Sequence, residues 1–339
     1  MRRRLPTVLG LTVALAAAST TLATAAFAST ATTAESHLTG VGVHNTYQQS
    51  AYAFLGNGLD SGTSLIELDV WADSLLKRWH VSHDNPFGSA NNCSTSLYSG
   101  TRNQDLPTCL KDLQLWGAAH PTHKPVVVKI ELKGGFEGTH GLSASALDSL
   151  IANGLGSQVF RPADLLGSYP SLDAAAVADA WPAQQALAGK YIFEIIPGTV
   201  EEQNPFDHLW TDLEYAQHLR DLAAAGQLGS AQIFPSVHNA ATGDPRTRYT
   251  DATVRPWFVF FDGDAATYVS GVDTSWYDTH HYFLIMTDAQ NVSPALSDTN
   301  PSLADAQARI AALAAAHASI ASTDWEALPS VLSSVLPRG

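Results

Sequence analysis

Residues 64–70 read Ser-Leu-Ile-Glu-Leu-Asp-Val, and residues 125–133 read Pro-Val-Val-Val-Lys-Ile-Glu-Leu-Lys. Both stretches have the length and apolar character of buried strands, yet each carries charges at every second position. Successive side chains of a strand point to opposite faces, so the charges within one stretch share a face. The residues concerned are Glu67 and Asp69 in the first stretch, and Lys129, Glu131 and Lys133 in the second. Charges cannot face an apolar helix layer without a large cost, so we expect them to face the mouth of a barrel.

Similar strand-length runs recur along the chain, with helical segments between several of them. The runs are Leu38–His44, Ser64–Val70, Pro125–Leu132, Lys190–Ile196, Ala231–Val237, Pro256–Phe261, Tyr282–Thr287 and Ala318–Ser322. Eight strands with helical crossovers predict an α/β fold, a single TIM-like (β/α)8 barrel with room for irregularity. An open doubly wound sheet is the alternative, and the absence of a glycine-rich phosphate motif after any strand disfavours it.

Three helices stand out in this pattern. Residues 142–155 and 209–225 have helical periodicity. A third helix is predicted between the last two strands, with Asn300 as its cap and Pro301 in its first position. Leu303, Ile310 and Leu313 would share its apolar face.

The amino-terminal segment has the features of a secretory leader. Arg2–Arg4 form a positive region, an apolar run follows, and Ala26-Phe27-Ala28 resembles a cleavage site. We expect residues 1–28 to be a signal peptide and residues 29–339 to form one catalytic domain in a secreted, extracellular protein. An uncleaved membrane anchor is the alternative. No other apolar stretch is long enough for a membrane-spanning helix, so we expect none in the mature protein.

The amino-acid composition limits the kinds of molecule that the protein could bind. The net charge is −14, which argues against nucleic acid and is compatible with a divalent cation. The two cysteines, Cys93 and Cys109, predict a disulfide in an exported protein, which would contribute about 3 kcal/mol on the chain-entropy model. We expect a monomer.

Oxygen-bearing side chains gather at the predicted carboxyl ends of the first three strands, where TIM-like barrels place their sites. Asn45 follows the first strand, Glu67 and Asp69 end the second, and Glu131 lies in the third. Three carboxylates and one amide oxygen make a hard set of ligands, which suits Ca2+ better than zinc. The alternative is that the carboxylates only form salt bridges with the nearby lysines.

Two histidines flank this predicted metal site. His44 ends the first strand, and His83 ends a hairpin arm after the second. Imidazoles can serve as acid and base in a displacement at phosphorus. Asp324 follows the last strand, next to the first in a closed barrel, and could orient His44. Lys133 could contact the substrate or form a structural ion pair. The roles of Glu194, Asp262, Asp288 and His238, which lie in or end strands, stay open.

These motifs resemble the catalytic region of phosphatidylinositol-specific phospholipases C, in particular the secreted bacterial, calcium-dependent branch. The resemblance covers about residues 40–133 and rests on four features. They are His44-Asn45-Thr46-Tyr47, the Glu67-x-Asp69 pair, His83-Asp84 and Glu131. It implies that His44 acts as base or stabilises the pentacoordinate phosphorus, and that His83 protonates the leaving oxygen. It also implies that Asn45, Glu67, Asp69 and Glu131 hold calcium.

The resemblance further implies attack by the inositol 2-hydroxyl on its own phosphodiester. The products would be diacylglycerol and inositol phosphate, formed through inositol 1,2-cyclic phosphate, from a phospholipid at a membrane or micelle surface. Calcium-independent relatives use an arginine where this chain has Glu67-x-Asp69.

Two other functions remain as alternatives. A glycerophosphodiester phosphodiesterase is also a metal-dependent barrel, but its site typically begins His-Arg-Gly, whereas this chain has His44-Asn45-Thr46. A secreted calcium-dependent protein that binds inositol or lipid headgroups without turnover is the non-enzymatic alternative. A serine hydrolase is disfavoured because the chain contains no Gly-x-Ser-x-Gly motif.

Overall fold

A closed ring of eight parallel strands forms the centre of the computed structural model, which describes residues 30–239 and 241–339. The ring runs β1, β2, β4, β5, β6, β7, β8, β9 and returns to β1. The strands are β1 Leu38–Val43, β2 Leu65–Asp73, β3 Arg78–Val81, β4 Val126–Leu132, β5 Tyr191–Pro197, β6 Ile233–His238, β7 Phe260–Asp264, β8 Phe283–Thr287, β9 Ile320–Thr323 and β10 Val335–Pro337. Strand β3 pairs antiparallel with β2, and β10 with β1. The predicted TIM-like barrel is therefore confirmed, and each predicted strand overlaps one strand of the ring.

Helices surround the ring. They are α1 Leu55–Asp60, α2 Leu106–Ala119, α3 Ala144–Leu155, α4 Pro162–Leu166, α5 Leu172–Val177, α6 Thr199–Glu202, α7 Thr211–Ala224, α8 Ala265–Gly271, α9 Ser275–Thr279, α10 Leu303–Ala315 and α11 Pro329–Leu332. The helices expected at 142–155 and 209–225 correspond to α3 and α7. Among the described residues, no helix combines the length and the apolar character needed to cross a bilayer. The predicted leader, residues 1–28, lies outside the described residues.

The start of α10 differs from the prediction. The cap is Ser302, whose hydroxyl accepts a hydrogen bond from the Asp305 amide at 3.2 Å, so Asn300 and Pro301 precede the helix. The hydroxyl satisfies an amide that lacks an intrahelical partner, and this sets the first turn two residues later than expected. Leu303 consequently lies in the first turn with 46% of its surface exposed, whereas Ile310 and Leu313 are buried.

Two glycines let the first strand approach the second and close the ring. A methyl group at Gly40 would lie 2.4 Å from the Ser64 side chain, and one at Gly42 would lie 3.0 Å from Leu65. Gly42 pairs directly with Leu65 in the sheet. A larger residue at either position would push β1 away from β2.

Inside the ring, an aromatic cluster lies towards the amino ends of the strands. Trp181 packs on Phe283, with ring centroids 4.6 Å apart, and Phe260 packs between Phe283 and Phe234 at 4.8 and 5.1 Å. Asp262 lies two residues beyond Phe260, on the same face of β7. Along these strands, the inside of the ring therefore changes from aromatic at the amino end to charged at the carboxyl end.

The predicted disulfide is present. Cys93 and Cys109 are bonded, which joins the loop after β3 to helix α2. The amides of Ser94 and Leu97 donate to the buried Asp112 carboxylate of the same helix at 2.8 and 3.2 Å. The loop that follows His83 is thereby held to the barrel wall.

Candidate active site

Three carboxylates converge at the carboxyl end of the barrel. Glu67 and Asp69 come from β2 and Glu131 from β4, and Asp69 is paired in register with Glu131. One oxygen from each lies within 4.8 Å of the others. Glu67 and Asp69 are buried, at 2% and 1% exposure, and Glu131 is half-buried. The alternation of side chains along parallel strands thus brings these groups together, as expected.

Asn45 adds a fourth oxygen beside this carboxylate cluster. Its φ is +53°, a left-handed conformation that asparagine tolerates better than most residues. Its backbone N–H donates to Glu67 Oε2 at 3.0 Å. Among the described residues, Asn45 Oδ1 and both Asp69 carboxylate oxygens are buried without a hydrogen-bond partner. Buried acceptors that lack donors are costly, and a hard cation such as calcium is the group that would satisfy them.

A buried lysine lies beneath the cluster. Lys129 Nζ is 3.3 Å from Glu67 Oε1 and 3.0 Å from Asp262 Oδ2. Burial alone would raise the pKa of Glu67, but Lys129, His44 and the Asn45 amide lower it to about 2. Burial raises the pKa of Asp69 to about 7, and repulsion from Glu131 and Glu67 adds to this. The cluster therefore holds an excess of negative charge that its own lysines do not fully offset.

Lys133 forms the structural ion pair that was one of its two predicted roles. Its Nζ lies 2.8 Å from Glu131 Oε1 and 3.2 Å from Asp69 Oδ2. The second distance is that of an ion pair without hydrogen-bond alignment, since both Asp69 oxygens lack a hydrogen bond within the described residues.

His44 is oriented by a chain of polar contacts. Its Nδ1 lies 3.0 Å from Asp324 Oδ1, and the Gln290 amide donates to Asp324 Oδ2 at 2.8 Å. Its Nε2 faces Glu67 Oε2 at 3.5 Å. Burial would lower the pKa of His44, but the Glu67 and Asp324 carboxylates raise it to about 9. The contact expected between Asp324 and His44 is thus present in the structure.

His83 lies on the rim. After β2 the chain folds back as a hairpin, and the Ser82 backbone amide donates to the Asp69 carbonyl at 3.0 Å. The segment that contains His83 therefore lies next to the carboxylate cluster. The His83 ring is 52% exposed, and Asp84 Oδ1 lies 2.8 Å from its Nδ1. Within the described parts of the chain, His83 makes no hydrogen bond to the carboxylate cluster.

Comparison with solved structures identifies the family. The barrel matches a Ca2+-dependent phosphatidylinositol-specific phospholipase C from Streptomyces antibioticus with 52% sequence identity and a TM-score of 0.89. The alignment covers 91% of this chain and 99% of that one. The chain belongs to the calcium-dependent phosphatidylinositol-specific phospholipase C family. The enzymes of this family are phosphodiesterases, so the family and enzyme class predicted from the sequence are confirmed.

A family model and a less similar solved structure also match parts or all of the fold. The family model for Ca2+-dependent phosphoinositide phospholipase C matches residues 96–214. A calcium-dependent phosphoinositol-specific phospholipase C from a Pseudomonas species has the same fold, with 17% identity and a TM-score of 0.68 over 91% of this chain and 97% of that one. No match is found among curated protein sequences.

Sequence reasoning left several residues of this phospholipase C site without a role. Lys129, Glu194 and Asp262 form a buried charged layer, and burial and the nearby Asp262 raise the pKa of Glu194 well above its usual value. Charges inside apolar strands were the signal for this layer. Gln290 had no such signal, because it lies in a loop after β8 and reaches Asp324 only through the fold.

Proposed function

We propose that this enzyme cleaves phosphatidylinositol to diacylglycerol and inositol phosphate, through inositol 1,2-cyclic phosphate. The observation that carries the proposal is the carboxylate cluster next to an imidazole held by Asp324. In this cluster Asn45 Oδ1 and both Asp69 oxygens are buried without a hydrogen-bond partner in the described chain. Membership of the family supports the reaction class. The calcium dependence given for the relatives agrees with this all-oxygen donor set.

Asn45, Glu67, Asp69 and Glu131 would hold the calcium ion. They come from three adjacent strands and supply one amide oxygen and three carboxylates, as a hard cation requires. Bound there, calcium would neutralise the phosphate and lower the pKa of the inositol 2-hydroxyl. Lys133 would keep Glu131 and Asp69 in place, and its contact with substrate remains a prediction.

His44 and His83 would move the protons. The inositol 2-hydroxyl oxygen attacks phosphorus, the bond to the glycerol oxygen breaks, and the cyclic phosphate forms. His44, oriented by Asp324, would accept the hydroxyl proton. Its pKa of about 9 reflects the carboxylates of the cation-free site, and a cation bound beside Glu67 would lower that pKa and leave the ring free to act as a base. His83 would protonate the departing glycerol oxygen, and its exposed position on the rim suits a group that meets the diacylglycerol portion. Water then opens the ring with the two roles reversed.

An apolar rim patch supports action at a lipid surface. We define it by Leu75 and Leu76 in the β2–β3 hairpin, Phe87 after β3, and Phe206 after β5. These side chains are 75%, 54%, 61% and 89% exposed. Leu75, Leu76 and Phe206 follow parallel strands at the carboxyl end of the barrel. Phe87 lies beside the same hairpin, where the Arg78 guanidinium donates to the neighbouring Pro86 carbonyl at 3.2 Å. Large exposed apolar residues around a site typically mark an interaction surface. We propose that the rim patch contacts the membrane or micelle that contains the substrate.

We also propose that the protein is exported and acts as a monomer outside the cell. The leader predicted at residues 1–28 and the Cys93–Cys109 disulfide support export, because disulfides persist in oxidising compartments. Residues 29–339 would then be the mature catalytic domain.

Phosphorus NMR of the products tests the activity. The purified protein is incubated with phosphatidylinositol in mixed micelles, once with calcium and once with a chelator. We expect signals of cyclic and then acyclic inositol phosphate that require calcium, and no cleavage of glycerophosphoinositol at a comparable rate. Preferred cleavage of glycerophosphoinositol, or calcium-dependent binding without turnover, would overturn the proposal in favour of one of the two alternatives.

A further inference from the structure

A second group of metal-binding side chains lies at the opposite end of the barrel. His37 immediately precedes β1, Asp179 lies in the connection from α5 to β5, and His281 lies two residues before β8. One ligand atom from each lies within 4.8 Å of the others. The amino ends of the strands thus bring together two imidazoles and a carboxylate that are distant in sequence. They are separated from the active site by the aromatic cluster that includes Trp181 and Phe283.

The hydrogen bonds define which nitrogen of each ring could bind a metal. The Ala176 carbonyl lies 3.2 Å from His281 Nδ1, and a carbonyl only accepts, so Nδ1 carries the proton and Nε2 keeps its lone pair. A backbone carbonyl bound to the second ring nitrogen is the usual support of a metal-ligating histidine. His37 Nε2 donates to Asp179 Oδ2 at 2.9 Å, so a metal ion would take the place of that proton. The Ser36 hydroxyl donates to Asp179 Oδ1 at 2.9 Å and orients the carboxylate.

Hydrogen bonds from two buried side chains, Arg338 and Trp181, hold the backbone near these three residues. The buried Arg338 guanidinium donates to the carbonyls of Ser36 and Tyr282, at 2.9 and 2.8 Å, and so ties the residues next to His37 and His281 to each other. Trp181 Nε1 donates to the His281 carbonyl at 2.9 Å, which ties in the segment that contains Asp179. The ligands therefore sit on a frame that folding assembles, which limits the entropy lost on binding an ion.

We propose that His37, Asp179 and His281 form a binding site for a divalent transition metal ion of the zinc class. Two imidazole nitrogens and one carboxylate oxygen are the ligand types that zinc takes, and they are unlike the all-oxygen cluster at the mouth. Tetrahedral zinc places its ligand atoms about 3.3 Å apart, so small side-chain rotations suffice. Side chains of His37 and Asp179 are 40% and 38% exposed, which leaves access for the ion and a position for water. The ion joins the segment before β1, which contains His37, to the segments before β5 and β8, which contain Asp179 and His281. It has no part in the cleavage reaction.

Calorimetric titration of zinc tests the site, with the whole protein in buffer that contains saturating calcium. Asp179→Asn and His281→Asn are the informative variants, because these positions have φ values of +53° and +55°, which asparagine tolerates. His37→Phe keeps an aromatic ring at the third position. His44→Ala is the matched control, because His44, Asp288 and Asp324 form a separate group at the mouth that could also take zinc. Cobalt, used as a coloured substitute for zinc, reports tetrahedral nitrogen and oxygen ligation by its visible absorption.

We expect the wild-type protein and His44→Ala to bind one zinc ion at this site, with a rise in thermal unfolding midpoint. Each of the three variants should bind it about tenfold more weakly or not at all, lose the cobalt band and keep wild-type cleavage of phosphatidylinositol. Zinc binding that survives in all three variants, or that disappears in His44→Ala alone, would overturn the proposal. So would the absence of any zinc binding by the folded wild-type protein.

Discussion

Asp324 Oδ1 lies 3.0 Å from His44 Nδ1, although the two residues are 280 positions apart in the chain. The contact exists because β9 and β1 are neighbours in the closed ring, with Val43 paired to Thr323. It leaves Nε2 of the imidazole facing the carboxylate cluster. The same carboxylate is held on its other side by Gln290. We therefore propose that Asp324 positions the His44 ring.

Asp324→Asn should lower kcat about 10–100-fold, because an amide can donate to Nδ1 and so favour the wrong tautomer of His44. Calcium affinity should change less than about twofold, since Asp324 lies outside the proposed ligand set. The measurement is turnover of micellar phosphatidylinositol against calcium concentration. Asp298→Asn, an exposed change, is the control. A loss of calcium affinity with kcat unchanged would contradict a positioning role.

Calcium should stabilise the fold through Asp69. An ion that binds only the folded state adds about 2.7 kcal/mol when its concentration is 100 times its dissociation constant. We expect the unfolding midpoint of the wild-type protein to rise by several degrees with calcium and to fall again with chelator. Asp69→Asn should lose most of that rise. Asp148 is also a buried aspartate, but it contacts Tyr215 and His218 away from the barrel mouth. Asp148→Asn is therefore the matched control, and it should keep the full calcium-dependent rise in the unfolding midpoint. An equal rise in both variants would place calcium elsewhere.

The rim patch should matter only at a lipid surface. Burial of a phenylalanine side chain is worth roughly 1.5–3 kcal/mol, so Phe206→Ser should weaken vesicle binding about tenfold or more. Cleavage of a short-chain phosphatidylinositol below its critical micelle concentration should be unchanged. Val177→Ser, at an exposed position on the opposite end of the barrel, is the control. Vesicle binding of Phe206→Ser equal to that of the control would exclude a membrane role for this residue.

Lys129→Met should destabilise the protein by about 3–5 kcal/mol, because Glu67 and Asp262 would remain buried without their cation. Chemical denaturation gives the free energy of unfolding. Lys111→Met, which removes an exposed lysine of α2, is the control and should change the free energy of unfolding by less than about 0.5 kcal/mol. Similar values for the two variants would mean that Lys129 does not neutralise the buried layer.

The stability of the fold should depend on pH through the ionisation of Glu201. Burial raises the pKa of its side chain to about 8, although the Thr211 amide donates to Oε1 at 2.8 Å. A raised pKa means that the folded state favours the proton, so stability is lost as the pH rises from about 4.5 through 8. Glu201→Gln keeps the acceptor and removes the ionisation. At pH 9 it should therefore be more stable than wild type by about 2–4 kcal/mol, and near pH 5 about equal. Urea midpoints at both pH values check this, with the more exposed Glu137→Gln as control. If Glu201→Gln were less stable than the wild type at both pH values, this prediction would be wrong.

The barrel itself could be predicted from the sequence because its determinants are local. Apolar runs of strand length mark each strand of the ring, and the period of two places the charges of β2 and β4 on one face. The motif at His44-Asn45 and the Glu67-x-Asp69 pair were enough to indicate the family. Local signals were weaker at helix ends, where a choice between neighbouring caps such as Asn300 and Ser302 depends on small energy differences.

Contacts between distant segments could be decided only by the tertiary structure. Gln290 reaches Asp324, Lys129 reaches Asp262, and His37 meets His281 because barrel closure brings together strands whose separation in the chain carries no periodic signal. The sequence by itself determined the strands, the faces of their charged residues and the chemistry they could support. Closure of the ring determined which of those charges meet, because the register between neighbouring strands is a property of the assembled sheet and not of any one strand.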